Sequence, residues 1–235
     1  MTIPKIIAHR GASADAPENT MAAFQLAMDQ NADGIELDVM LSKDQELIVI
    51  HDDAVDRTTN GTGSVRQMTL EQLRSLDAGE GQTIPTLAEV LERFGGKLLI
   101  NIELKNYATI FDSLPLKVAD LLEHYNAVDS VIVSSFNPFN LPRIKRRLPD
   151  VKLGLLTDKN KARHWLWRLF KFDALHPYYS DVDQVLVAAV HARNRQVNVW
   201  TVDAPAEIRR LAALNVDAII TNRPQQTREI LESAL

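Results

Sequence analysis

The chain has 235 residues, 46% hydrophobic and 24% charged, a length and balance that fit a soluble globular fold with a sizeable core. A formal charge of −5 argues against a nucleic-acid partner, and the absence of cysteine excludes disulfides and thiolate metal sites. The start, Met1-Thr2-Ile3-Pro4-Lys5, lacks the marks of a signal peptide, and no apolar run approaches the ~18 residues of a spanning helix, so a cytoplasmic protein is expected.

In chain order, an apolar strand at 5–8 runs into His9-Arg10-Gly11. A helical pattern over 20–31 follows, with Glu18 just before it and Asn19 placed to cap it. The next strand, 34–41, alternates so that Glu36 and Asp38 share one face while Ile35, Leu37 and Val39 share the other. Residues 46–50 also look like a strand, but the gap behind them is too short for a crossover, so a hairpin is expected. A two-residue turn at Asp44-Gln45 would set Asp38 opposite His51 on one face. Residues 53–85, with Arg57-Thr58-Thr59-Asn60-Gly61 and a short helix starting near Thr69, read as an excursion over one face of the fold. Thr86-Leu87-Ala88-Glu89 has the form of a capping box for a helix over 86–94. Strand 98–103 sends Asn101, Glu103 and Lys105 one way and Ile100, Ile102 and Leu104 the other. Strands at 130–134, 152–156, 173–176, 197–201 and 217–221 then alternate with helical patterns over 112–126, 138–148, 160–171, 182–194, 204–214 and 225–234.

Strands separated by helices imply parallel pairing with right-handed crossovers. Eight such units in 235 residues suit an α/β fold, a (β/α)8 TIM barrel with a small inserted segment after the second strand; an open doubly wound sheet is the alternative. Charged side chains at the ends of many strands favour the barrel, because an open sheet gathers its functional groups at one crevice. The expected organisation is one barrel domain over 1–235, with 46–85 as a hairpin strand and small insertion within it.

Charges at strand ends need water, a partner or a metal. Glu36, Asp38 and Glu103 offer carboxylate oxygens and no sulfur, a hard donor set that suits one divalent cation, Mg²⁺ or Ca²⁺. Arg10 and Lys105 supply positive charge for a phosphoryl group. His9 and His51 can each exchange a proton near neutral pH, one activating the attacking group and the other protonating the leaving alkoxide. The attacker is water or the substrate's own hydroxyl.

His9-Arg10-Gly11, Pro17-Glu18-Asn19-Thr20, Glu36-x-Asp38, His51-Asp52, Arg57-Thr58-Thr59-Asn60-Gly61 and Glu103-x-Lys105 together resemble the glycerophosphodiester phosphodiesterase family. The resemblance continues through Ser134-Ser135-Phe136, Trp200-Thr201-Val202 and Thr221-Asn222-Arg223-Pro224, and so spans essentially the whole chain. It implies a phosphodiesterase TIM barrel with a divalent cation that cleaves small glycerophosphodiesters to sn-glycerol 3-phosphate and an alcohol. By that likeness His9 and His51 are the acid/base pair, Glu36, Asp38 and Glu103 the metal ligands, and Arg10 and Lys105 the phosphate contacts.

Other residues carry weaker signals. Phe136 and Trp200 sit at strand ends and are candidates for lining a pocket, with ordinary packing as the plain reading. Glu18 reads as a supporting residue with capping or dipole duty. Asn101 points inward, lower down, toward a hydrogen-bonded interior role. His176 ends a strand, whereas His124, His164 and His191 fall in helical patterns and should be exposed. Over 159–172, Trp165, Leu169 and Phe172 would form one helical stripe among basic residues. A barrel helix is the plain reading there, and peripheral contact with anionic lipid the less favoured one. That second reading would go with a lysophospholipase D-type substrate. A non-catalytic phosphate-binding module is the rival from another class, but a pure binder needs no proton relay. No feature sets the oligomeric state.

Overall fold

The structure, a computed structural model, describes residues 3–107, 109, 111–159 and 165–233. Its strands are β1 Lys5–His9, β2 Gly34–Leu41, β3 Leu47–Val49, β4 Leu99–Leu104, β5 Val131–Ser135, β6 Lys152–Thr157, β7 Ala174–Pro177, β8 Gln196–Val199 and β9 Ala218–Thr221. The helices are α1 Met21–Asp29, α2 Leu70–Arg74, α3 Leu87–Phe94, α4 Leu114–His124, α5 Asn140–Arg147, α6 Gln184–His191, α7 Pro205–Ala213 and α8 Pro224–Glu232. The sheet runs β1-β9-β8-β7-β6-β5-β4-β2-β3, and β1 pairs with β2 in parallel, so eight parallel strands close into a barrel. β3 is the addition, antiparallel to the upper half of β2 with Val39 opposite Val49.

The alternation in each strand decides what lies where. Outward residues such as Ile35, Leu37, Ile100 and Ile102 are fully buried against Phe24, Phe94 and Leu122 of the helices. The floor of the barrel interior is apolar, built from Ile7, Ala218 and Ile220 with Leu99, and Trp200 packs on this cluster from the mouth. Above it the inward positions turn polar, so the charged groups sit at the carboxyl ends of the strands, where active sites of this architecture form.

Local chemistry fixes the helix starts. Thr86 caps α3 as a full capping box with Glu89, and Thr69 does the same for α2 with Gln72. The cap of α1 is Thr20, whose hydroxyl accepts from Ala23 N–H, and not Asn19, which takes a left-handed φ of +57°. The turn before β3 also departs from the expected one. Ser42 and Glu46 pair around three residues, with Gln45 at φ +66°. The register therefore slips by one, and Ile50, not His51, donates its N–H to Asp38 O at 3.0 Å. The inserted chain after β3 packs a second small core from Met40, Ile48, Ile50, Val55, Val65, Leu73, Ala78 and Ile84.

The helical pattern over 160–171 is replaced, in its described part, by a single 3-10 turn at Trp165–Leu169; residues 160–164 lie outside the description. Leu169 is exposed there, while Trp167 and Phe172 are buried with ring centroids 6.2 Å apart, so Leu169 and Phe172 do not share one outward stripe. The side chain of Trp165 lies outside the description. Among the described residues no helix is long and apolar enough to cross a membrane.

Candidate active site

The pairing of β2 with β4 sets Asp38 beside Glu103 and Glu36 beside Asn101 on the inward face. Glu36, Asp38 and Glu103 are all buried, and each offers an oxygen within 4.8 Å of the others. Burial first, then the charges of its neighbours, pushes the Glu36 carboxyl well up, and burial followed by the charge of Asp38 raises Glu103. Such a cluster calls for positive charge. Arg10 Nε lies 3.2 Å from Asp38 Oδ2, and Lys105 Nζ lies 3.1 Å from Glu103 Oε1 and 3.8 Å from Asp38 Oδ1. The hydrogen bonds from the protein fall on Glu36 Oε2, Asp38 Oδ2 and Glu103 Oε1, and among the described residues the second oxygen of each accepts none, although Lys105 Nζ stands near that of Asp38. The residues present thus fit a hard divalent cation.

Two imidazoles border the cluster. His9 ends β1 beside Glu36, with Nε2 4.0 Å from Glu36 Oε2 and Nδ1 2.7 Å from Asn222 Oδ1. Burial, and next the Arg10 charge, bring its pKa down to about 4. His51 comes from the bend after β3, so its position does not depend on strand register. Its Nδ1 meets Asp52 Oδ1 at 2.5 Å, and its Nε2 lies 3.1 Å from Lys105 Nζ.

Behind these groups runs a chain of ion pairs. Arg57 donates from both terminal nitrogens to Glu18 and from Nε to Asp52 Oδ2, while Arg10 donates to Glu18 Oε1 at 2.8 Å. Burial alone would raise Glu18, but the Arg57 hydrogen bonds and the Arg10 charge outweigh it and hold the carboxyl at about 2. Glu18 therefore braces two arginines and does not cap α1. Arg10 itself sits at φ +56°, followed by Gly11 at φ +81°. A β-carbon on Gly11 would lie 2.6 Å from the backbone carbon of Ala23, so only glycine lets this loop fold back onto α1.

Phe136 and Trp200 stand in the mouth, which His9, Arg10, His51, Glu103, Lys105, Tyr107 and Asp158 complete as a cavity of about 350 Å³. Tyr107, Phe136, Trp200 and Tyr178 stack edge to face along one wall at 5.4–5.8 Å between centroids. Larger hollows of about 560 and 600 Å³ lie on the outer wall, away from the cluster.

Some neighbours of the cluster were not expected. Asn19, expected as a helix cap, instead donates its amide to Asp38 at 2.9 Å, and the Tyr107 hydroxyl donates to Glu103 Oε1. Asp52 was visible as part of a motif, yet its contact with His51 was not, and Asn222 is 213 residues away from His9 in sequence. An Asn just before a helix was the available sign for Asn19; nothing marked Tyr107. Asn101 points inward, but its Oδ1 has no hydrogen-bond partner among the described residues, contrary to the interior bond expected. His176 is buried in the barrel against Asn198. His124 is exposed, His191 is half-buried and pairs with Asp217, and His164 lies outside the description.

A closed barrel with a buried carboxylate triad and two histidines at its mouth has its charged groups where enzymes of the (β/α)8 class carry their active sites. Residues 9–226 match the model of the glycerophosphoryl diester phosphodiesterase family, and the chain belongs to that family. It is 42% identical over 229 residues to the glycerophosphodiester phosphodiesterase of Caldanaerobacter subterraneus subsp. tengcongensis, covering 94% of each chain. It superposes on an Oleispira antarctica phosphodiesterase, solved with the product sn-glycerol-3-phosphate, with a TM-score of 0.89 at 31% identity, covering 98% of this chain and 97% of that one. The glycerophosphodiester phosphodiesterase of Agrobacterium tumefaciens gives 0.83 at 33% identity over 95% of this chain and 99% of that one.

Proposed function

We propose that the protein hydrolyses small glycerophosphodiesters to sn-glycerol 3-phosphate and an alcohol, with Glu36, Asp38 and Glu103 holding one Mg²⁺ or Ca²⁺. The observation that carries this reading is the meeting of three buried carboxylates within 4.8 Å of one another, bordered by His9 Nε2 and His51 Nε2. When bound, the cation supplies charge that polarises the phosphoryl group. Arg10 and Lys105 orient the phosphodiester and balance its charge. His9 is held neutral by burial and so serves as the base, taking the proton of the attacking group; His51, braced by Asp52, returns a proton to the leaving alcohol. Phosphorus-31 spectra of the products from glycerophosphocholine test the reading. Free sn-glycerol 3-phosphate is expected; phosphocholine as product, or unchanged diester, contradicts it.

A second reading has one observation in its favour. Beyond Tyr107 and Phe136 the rim exposes Phe111 and Phe139, whose ring centroids lie 6.4 Å apart. An acyl chain on the glycerol, as in a lysophospholipid, would cover them. Turnover of lysophosphatidylcholine should then fall in Phe111→Ser with glycerophosphocholine turnover unchanged; an equal effect on both removes this reading.

A further inference from the structure

The loops after β8 and β9 take no direct part in the chemistry above, yet they close around His9. We propose that Asp203 and Asn222 are positioning residues that fix His9 in its Nδ1–H tautomer and so present a bare Nε2 lone pair to the carboxylate cluster. The functional meaning of that tautomer rests on the role given to His9 above.

Donors and acceptors around the ring fix the assignment. Asp203 lies between β8 and α7, Asn222 directly follows β9, and His9 ends β1, so three strands adjacent in the barrel deliver them. Asp203 Oδ1 accepts the backbone N–H of Asn222 at 2.8 Å and the Thr221 hydroxyl at 3.0 Å. Asp203 Oδ2 accepts the side-chain amide of Asn222 at 2.6 Å. A carboxylate only accepts, so the end of the Asn222 amide that faces it has to be the NH2. The amide oxygen then faces His9, 2.7 Å from Nδ1, and it too only accepts. Nδ1 must carry a proton, and in the neutral ring Nε2 is then the lone pair.

Each alternative sets two acceptors in contact. The Nε2–H tautomer would put a bare Nδ1 at 2.7 Å from Asn222 Oδ1. A flipped amide would put that oxygen at 2.6 Å from Asp203 Oδ2. The Ser13 hydroxyl, 2.8 Å from Asn222 Oδ1 and 2.7 Å from His9 O, adds a donor to one of these acceptors. His51 meets a carboxylate directly, through Asp52. At His9 a neutral amide stands in between, so the ring is oriented without a charge beside it.

Long-range ¹H–¹⁵N spectra of the metal-free protein, labelled in histidine, read the tautomer without any turnover. The His9 signals, assigned by their loss in His9→Gln, should show Nδ1–H in the wild type. Asp203→Asn lets the amide rotate, so a mixture of tautomers is expected, with kcat down roughly 10–100-fold and KM within about threefold. The double change Asp203→Asn with Asn222→Asp restores the order of donor and acceptor and should recover the Nδ1–H form. A wild-type His9 in the Nε2–H form overturns the proposal whether or not any variant folds. So does Asp203→Asn with an unchanged tautomer, whatever its rate. An Nδ1–H form together with full turnover of His9→Ala would sink the catalytic role of His9 and leave the tautomer assignment standing.

Discussion

Asn19 shows how much one unremarkable side chain can contribute at this mouth. Its amide donates to Asp38 Oδ2, where it orients one member of the triad and leaves the other oxygen available. Asn19→Ala should weaken Mg²⁺ or Ca²⁺ binding about 10–100-fold, read by calorimetric titration of metal-stripped protein; unchanged affinity would mean that Asp38 needs no such partner. His176 makes a different prediction. Burial lowers its pKa from 6.5 to about 3, so the folded protein holds it neutral while the unfolded chain protonates it. The stability this gives is present above 6.5 and is lost as pH falls from there toward 3. Unfolding free energy should therefore fall with acid, and His176→Gln should flatten that slope by about 1.4 kcal/mol per pH unit between about pH 5.5 and 4, where the unfolded ring is charged and the folded one is not. Parallel slopes for wild type and variant would contradict the assignment.

At the level of elements, the eight barrel strands were legible as short apolar runs between helical patterns, with alternation plain in 34–41 and 98–103, and helix edges were legible where Thr86 and Thr69 supply caps. Thr86→Ala should cost ~1 kcal/mol in urea unfolding and leave turnover unchanged, since α3 lies outside the barrel; no loss of stability would show the capping box to be idle. The hairpin was legible too, but its turn was not. Its length depended on which residue takes a positive φ, and Gln45 carries no such signal, unlike glycine or asparagine. That error of one residue did not displace His51, because β3 stops at Val49 and a bend, not the ladder, delivers the imidazole. The helix expected over 160–171 misled for another reason: a basic, aromatic run satisfies a helical period without being held as one, and Trp167 and Phe172 pack inward from a short turn instead.

Across the whole molecule, closure of the barrel is what turns scattered motifs into one site. β1 and β2 close the ring, so His9 meets Glu36 on one side and the chain's last loops on the other. The motif residues were visible in sequence; which of them touch was not, because contacts such as His9–Asn222 and Arg57–Glu18 depend on that closure. The central claim is that the buried triad works by holding a divalent cation. Turnover of glycerophosphocholine after EDTA treatment, followed by addition of Mg²⁺ or Ca²⁺, tests it most directly, with Glu103→Gln alongside. Activity should vanish with the chelator, return with the metal in the wild type, and fail to return in Glu103→Gln. Full turnover in EDTA, or a Glu103→Gln variant as active as wild type, would contradict it.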